Sequence, residues 1–232
     1  IMALKFLSAG GSGSLDGGIK ALQYAADMGA RVSNNSWGCE CSSQAMDDAV
    51  KYEHDRGMVI VTAAGNSNLD AIGFSPADAD YAVTAAASDY NDTKASFSNW
   101  GEKIDVAAPG VNILSIRAAN NPMCNGRPII GTLYCVVSGT SMAAPHVAVL
   151  AALILSKNPG LTNEEVRQIL RTGADDLGTI GKDRDYGYGR INAAGSVNLV
   201  STHPLTPIIT SPKSRTVLTG VINIIGGISG PN

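Results

Sequence analysis

The stretch Val136-Val137-Ser138-Gly139-Thr140-Ser141 closes a β-branched run and opens a long, alanine-rich apolar segment. A serine held where a strand hands over to a helix is placed for nucleophilic chemistry, because the unpaired N–H groups of a first helical turn favour a developing negative charge. Residues 139–143, GTSMA, come within one residue of the G-x-S-x-G elbow that presents a reactive serine on a sharp turn. Serine is also a common helix N-cap, so Ser141 reads either as a nucleophile or as a cap. A nucleophilic serine needs a base, and the chain has three histidines, His54, His146 and His203. His146 lies five residues beyond Ser141, about 140° round a helix and about 7.5 Å along it, out of reach of the hydroxyl. It is expected to be a buried, hydrogen-bonded structural group. His54, between Glu53 and Asp55, is expected on a solvated charged face, and His203 falls in a proline-containing tail.

The elements that would position these groups alternate. Residues 2–7 read as a strand. Leu15, Ile19, Leu22, Ala26 and Met28 recur at near-helical spacing, which predicts a helix over 15–28 ended by Gly29. A polar strand at 31–36, a helix at 43–56, and apolar strands at 58–64 and 81–87 follow. Strand-helix-strand alternation predicts a parallel sheet with helices on both faces. Strand-like segments at 104–107, 111–116 and 133–137 lead to a long helix over 140–157 and another over 163–172. Thr162 and Glu165 form a capping box for the latter. A short helix is predicted at 192–199. From Ser201 the character changes: prolines 204, 207 and 212 and a β-rich run at 215–225 read as a linker and the start of a β-rich appendage, giving domains of 1–200 and 201–232.

With 232 residues, 44% hydrophobic and 16% charged, the chain is long enough to bury one substantial core. A net charge of −3 and the lack of basic runs argue against a nucleic-acid partner. No apolar run approaches the ~20 residues of a membrane span. The start, IMALKFLSAGG, has no charged n-region or cleavage site, so it reads as a strand under way rather than a signal peptide. Cys124 and Cys135 flank a loop that could close as a disulfide, whereas Cys39 and Cys41 stand too close for an easy mutual bridge; four thiols are the alternative. No Cys or His spacing typical of a metal site occurs.

The flanks of Ser141 carry a more specific signal. SGTSMAAPHVA resembles the nucleophile motif of the subtilisin-like serine proteases, the subtilases (peptidase S8). Four further stretches resemble that family in the same order: SWG at 36–38, VTAAGN at 61–66, DVAAPGVNILS at 105–115 and YGYGRINAAGSV at 186–197. The resemblance implies a three-layer α/β/α fold and a serine endopeptidase acting on proteins or peptides through an acyl-enzyme on Ser141. It implies that Asn66, which on its own reads as a turn residue after a strand, donates a side-chain hydrogen bond to the oxyanion. It further implies that Ser36, Trp37, Gly38, Ala63, Ala64 and Gly65 border the substrate cleft, with Gly11, Ser12, Gly13 and Leu15 on the opposite rim. Secretion follows from the family. No cofactor is identified; a structural calcium ion is allowed by the resemblance, although Asp175, Asp176, Asp183 and Asp185 read as a solvated acidic loop. The family's usual glycine after PHVA is Val149 here.

The family's triad runs Asp, His, Ser, with the first two in D-[ST]-G and H-G-T-H motifs that do not occur in this sequence. The chain is therefore expected to be the carboxyl-terminal part of a subtilase domain, incomplete at the amino-terminal side, inactive alone, and partnered by the missing part of the same domain. Loss of a central strand would expose apolar faces and an unpaired edge. Two rivals stand beside this reading: a degenerate, non-catalytic subtilase used for binding, and an α/β-hydrolase-type esterase with the order Ser141, an aspartate of 175–185, His203.

Overall fold

The structure is a computed structural model that describes residues 1–118, 124–201, 206–211 and 223–229. Helix α1 (Leu15–Asp27) precedes strand β1 (Val32–Asn35), a short β2 (Cys39–Glu40), helix α2 (Gln44–Asp55), β3 (Val59–Ala63), a short β4 (Phe74–Ser75), β5 (Ala82–Ser88) and β6 (Val106–Pro109). There follow β7 (Ile113–Ile116), β8 (Ile129–Ile130), β9 (Tyr134–Val137), α3 (Thr140–Lys157), α4 (Asn163–Thr172), α5 (Ala193–Leu199), β10 (Thr206–Ser211) and β11 (Ile225–Ser229). The central sheet has the order β1-β3-β5-β6, parallel throughout.

Strand alternation sorts the core into two faces. Val59, Val61, Val83, Ala85 and Val106 meet Val147, Ala151 and Ile154 of α3, with Val166, Ile169 and Leu170 of α4 completing that layer. Ile60 and Ala82 face the other way, onto Leu22 and Ala25 of α1 and Met46 and Val50 of α2. The three-layer α/β/α arrangement expected from the alternation of elements is thus present. Helix α3, with 18 residues and a mean hydropathy of 1.3, is long and apolar enough to cross a membrane by length and composition alone. It packs across all four strands of the sheet, which accounts for its apolar character as a core helix.

Helix ends follow local chemistry. Ser14 and Ser43 cap α1 and α2 through their hydroxyls. Thr162 and Glu165 form the capping box foreseen for α4. Strands β7, β9 and β8 form a separate antiparallel sheet, and β10 pairs antiparallel with β11. Residues 212–222, and with them most of the β-rich run at 215–225, lie outside the described residues, as does His203.

Three local expectations are corrected. Residues 2–7 do not form a strand. Between them and β1, the edge of the sheet, lies a cavity of about 880 Å³, so this segment has no ladder to join. Cys39 and Cys41 do bridge, alongside Cys124–Cys135. The Cα atoms of Cys39 and Cys41 are 5.2 Å apart, closer than two residues of a fully extended chain would stand, so the backbone bends at Glu40 and brings the pair inside the usual disulfide range. His54 is not solvated: it is wedged between the Tyr81 ring (centroids 4.2 Å apart) and Glu164 Oε1 at 3.0 Å.

Two buried carboxyls respond oppositely to pH. Asp105 in β6 is 2% exposed and is met by Arg167, Arg171 and the Thr84 N–H. Burial pushes its pKa up, but the two guanidinium charges and the Thr84 N–H outweigh that and hold it at about 2. Glu53 in α2 is fully buried; burial raises its pKa to about 8 against the opposing hydrogen bond from Ser33. Stability contributed by Asp105, whose folded pKa is depressed, is whole above about pH 4 and is lost as pH falls toward 2. That contributed by Glu53, whose folded pKa is raised, is whole below about pH 4.5 and is lost as pH rises through 8. Urea titrations across pH should show Asp105→Asn costing roughly 3–5 kcal/mol at pH 7, because two buried guanidiniums lose their anion. The same titrations should show Glu53→Gln leaving stability unchanged near pH 4 and raising it by a few kcal/mol above pH 8, at about 1.4 kcal/mol per unit of pKa shift.

Candidate active site

The carboxyl ends of β1 and β3 converge on the start of α3. The N-cap of α3 is Gly139, and no side chain caps it. Ser141 is therefore not a cap. Its Oγ donates to the Ser36 carbonyl at 3.2 Å, while Ser36 Oγ donates back to the Ser141 carbonyl at 2.9 Å. The chain just beyond β1 is thus fastened to the first turn of the helix.

Asn66, three residues past β3, is fixed by Thr140. Its Oδ1 accepts from the Thr140 N–H at 2.8 Å and from Thr140 Oγ1 at 2.9 Å, and Thr140 Oγ1 in turn accepts from the Gly65 N–H at 3.1 Å. With the oxygen committed to Thr140, Nδ2 lies beside the N-cap: it and the Ser141 nitrogen are each 3.7 Å from where a Cβ on Gly139 would stand. Asn66 itself is exposed. Gly65 cannot be replaced without strain: its φ is +105°, and a Cβ there would stand 2.3 Å from Asn99 Nδ2. Asn99 ties this turn together, donating to the Ala64 carbonyl and accepting from the N–H groups of Ser67 and Leu69.

Ser141 and Asn66 share a cavity of about 190 Å³ with Trp37, Gly38, Ala63, Ala64 and Gly65, every one of them singled out in the sequence. Sequence reasoning missed Glu40, Phe74, Ser75, Ala77 and Thr140 on the same wall. Thr140 had a signal, standing beside Ser141 in the SGTSMA run; Phe74 and Ser75 arrive through the β2–β4 pairing, which no local pattern announces. Gly11, Ser12 and Gly13 form an exposed approach to α1 and do not line this cavity, and Leu15 packs into the α1–α2 core. They connect to it through Phe6, whose ring meets Trp37 edge-on at 4.9 Å and would crowd a Cβ on Gly13.

The two histidines among the described residues bond elsewhere. His54 is engaged as described above. His146 Nδ1 meets the Met142 carbonyl at 2.7 Å, and the ring is exposed, which corrects the expectation of burial: its place on α3 turns it away from the sheet. Asp175 and Asp183 of the acidic loop are engaged within the protein. Asp175 is bound by Arg190 and Asn192, Asp183 by the N–H groups of Thr179, Asp185 and Tyr186, and no group of three potential ligands converges among the described residues.

Fold and site together define an α/β protein with a serine at the head of the sheet's core helix and an oriented amide beside it. The sequence narrows this class: residues 1–189 match the subtilase family, peptidase S8, and the chain belongs to that family. It is 42% identical over 197 residues to a thermophilic serine proteinase of Bacillus sp. (strain AK1), covering 85% of this chain and 45% of that protein. It is 37% identical over 193 residues to subtilisin Savinase of Lederbergia lenta, covering 83% and 66%. Among solved structures it is similar to a lanthipeptide protease (TM-score 0.74, 25% identity, 84% of this chain and 69% of that one) and to a cold-adapted subtilisin-like serine proteinase (TM-score 0.66, 35% identity, 81% and 63%). The chain thus spans between about half and two-thirds of the length of the curated relatives it matches.

Thr140→Val keeps the shape of the side chain and removes the hydroxyl that serves Asn66 and Gly65. Chemical denaturation should show a loss of about 1–3 kcal/mol, the usual cost of leaving buried polar groups unpaired.

Proposed function

We propose that this chain is the nucleophile-bearing part of a secreted serine endopeptidase, in which Ser141 attacks the scissile carbonyl and Asn66 stabilises the oxyanion. The observation that carries this reading is the double hydrogen bond from Thr140 to Asn66 Oδ1, which leaves the amide N–H groups as preorganised donors near Ser141. The Ser141 N–H, in the first turn of α3, supplies a second donor. The small walls of Ala63, Ala64 and Gly65 leave room for a side chain of the substrate, and an extended peptide would add as a strand beside Trp37 and Gly38. Two disulfides fit an oxidising, extracellular compartment.

The base and its carboxylate come from polypeptide outside these 232 residues. Ser141 Oγ rests on a backbone carbonyl and the described histidines are engaged elsewhere, so the isolated chain is expected to be inactive. In the complete enzyme an imidazole takes the proton from Ser141 Oγ as it attacks and later gives it to the leaving amine. The non-catalytic alternative, a degenerate binding module, predicts no covalent labelling of the complete protein.

A fluorophosphonate probe should label the complete protein, and Ser141→Ala should abolish that labelling; labelling that persists removes Ser141 as nucleophile. Asn66→Ala should lower kcat by about 10²–10³-fold with little change in KM, a range established for the oxyanion asparagine of subtilisin and carried over to this member of its family. The 232-residue chain alone should turn over no peptide substrate at a rate above that of its Ser141→Ala variant.

A further inference from the structure

Glu40 is the one charged residue among the described residues that line the 190 Å³ cavity beside Ser141. It stands at the bend closed by the Cys39–Cys41 disulfide, where β2 pairs with β4 in an antiparallel ribbon. The Ser75 N–H donates to the Cys41 carbonyl at 3.2 Å, which fastens the bend to β4. Glu40 is the direct partner of Phe74 in this ribbon, and residues paired in that way put their side chains on the same face. That face is turned to the cavity, because Phe74 Cδ1 would stand 3.3 Å from a Cβ on Gly65, which lines the same space. Glu40 is exposed, and among the described residues its carboxylate meets neither a cation nor a hydrogen-bond donor.

An anion, an aromatic face and small apolar walls suit one kind of side chain. Ala63, Ala64 and the Phe74 ring would cover a methylene stem, and an ammonium or guanidinium at its end would meet Glu40. The ring also offers a face on which a guanidinium can lie. An acidic side chain of the substrate would instead meet a like charge.

We infer that Glu40 is a specificity-determining residue: the cavity takes the side chain of the residue whose carbonyl Ser141 attacks, and Glu40 selects lysine or arginine there. Ser141 and Asn66 share the cavity, so a carbonyl held between them directs its own side chain into it. The inference rests on the peptidase reading of Ser141 and adds to it a class of substrate, peptides cleaved after a basic residue. Glu40 lies on the ribbon, four residues beyond the Ser36 carbonyl that receives Ser141 Oγ, so a long side chain is needed to reach it. Its charge is exposed, so its pull is screened by salt.

The test uses the complete protein and two readouts. In the first, kcat/KM is measured on acetylated peptides that differ only at the residue before the scissile bond: lysine, arginine, norleucine, glutamate or the short cation diaminopropionic acid. Lysine should be preferred over norleucine by about five- to tenfold, the scale of one charge-assisted hydrogen bond to an exposed carboxylate. Added salt should shrink that preference, and diaminopropionic acid should not share it. In Glu40→Gln lysine and norleucine should be cleaved alike, and in Glu40→Lys glutamate should overtake lysine. Each comparison is made within one variant, so a general loss of activity cancels. In the second readout, calorimetry compares benzamidine, a planar cation on an aromatic ring, with neutral benzamide. Benzamidine should bind more tightly, and Glu40→Gln should remove the difference. The proposal is overturned if the unaltered protein cleaves lysine and norleucine peptides alike, if the lysine preference survives in Glu40→Gln, or if benzamidine binds no better than benzamide. A protein that holds benzamidine through Glu40 yet cleaves no peptide and takes no fluorophosphonate label keeps the cation pocket and loses the peptidase reading.

Discussion

Thr140 stands between the end of β3 and the first turn of α3, and both of its polar groups are committed there. Its N–H and hydroxyl hold Asn66, and its hydroxyl oxygen receives the Gly65 N–H. The paired hydrogen bonds between Ser36 and Ser141 do the same for the chain beyond β1. A helix dipole, a hydroxyl and an amide are thereby brought to one place by backbone ends that a parallel sheet aligns in any case. This is the position, outside the carboxyl ends of the strands, where open α/β sheets gather their ligands. The walls of the 190 Å³ cavity follow from the same alignment, because Ala63 to Asn66 and Trp37 to Glu40 are the residues that leave those strand ends.

The sheet is well finished on one side and open on the other. At β6, Asp105 and its two arginines close the structure with paired charge, and α4 seals it. At β1 the apolar stripe of α3, the free strand edge and the orphan Glu53 oxygen face a void. The serine and the amide stand at the carboxyl ends of β1 and β3, held by Ser36 and Thr140.

Local signals were legible in the sequence and tertiary ones were not. The Thr162–Glu165 capping box and the glycine stops after α1 and α2 each rest on contacts within a few residues, and each stands as read; β3 was legible from its unbroken apolar run, although it pairs with the distant β1 and β5. The approach of Asn66 to Thr140 spans 74 residues, so spacing alone left Asn66 as a turn residue and only the likeness to a family brought the two together. Glu53 sits in a charged run, YEHDR, that reads as a solvated face; its burial depends on Ser33 across the layer. His54 was misread for the same reason, since Tyr81 and Glu164 come from distant elements. His146 went the other way: an apolar run implied burial, yet its position on α3 faces away from the sheet.

The charge cluster at β6 bears on the order in which the chain can settle. Asp105 leaves the ribosome 62 residues before Arg167 and 66 before Arg171. Until those arginines emerge, seating β6 against β5 would strand an anion in an apolar interior. The seating of β6 and of α4 is thus coupled: with both guanidiniums in place Asp105 is held ionised in the interior, whereas burial without them favours the neutral acid.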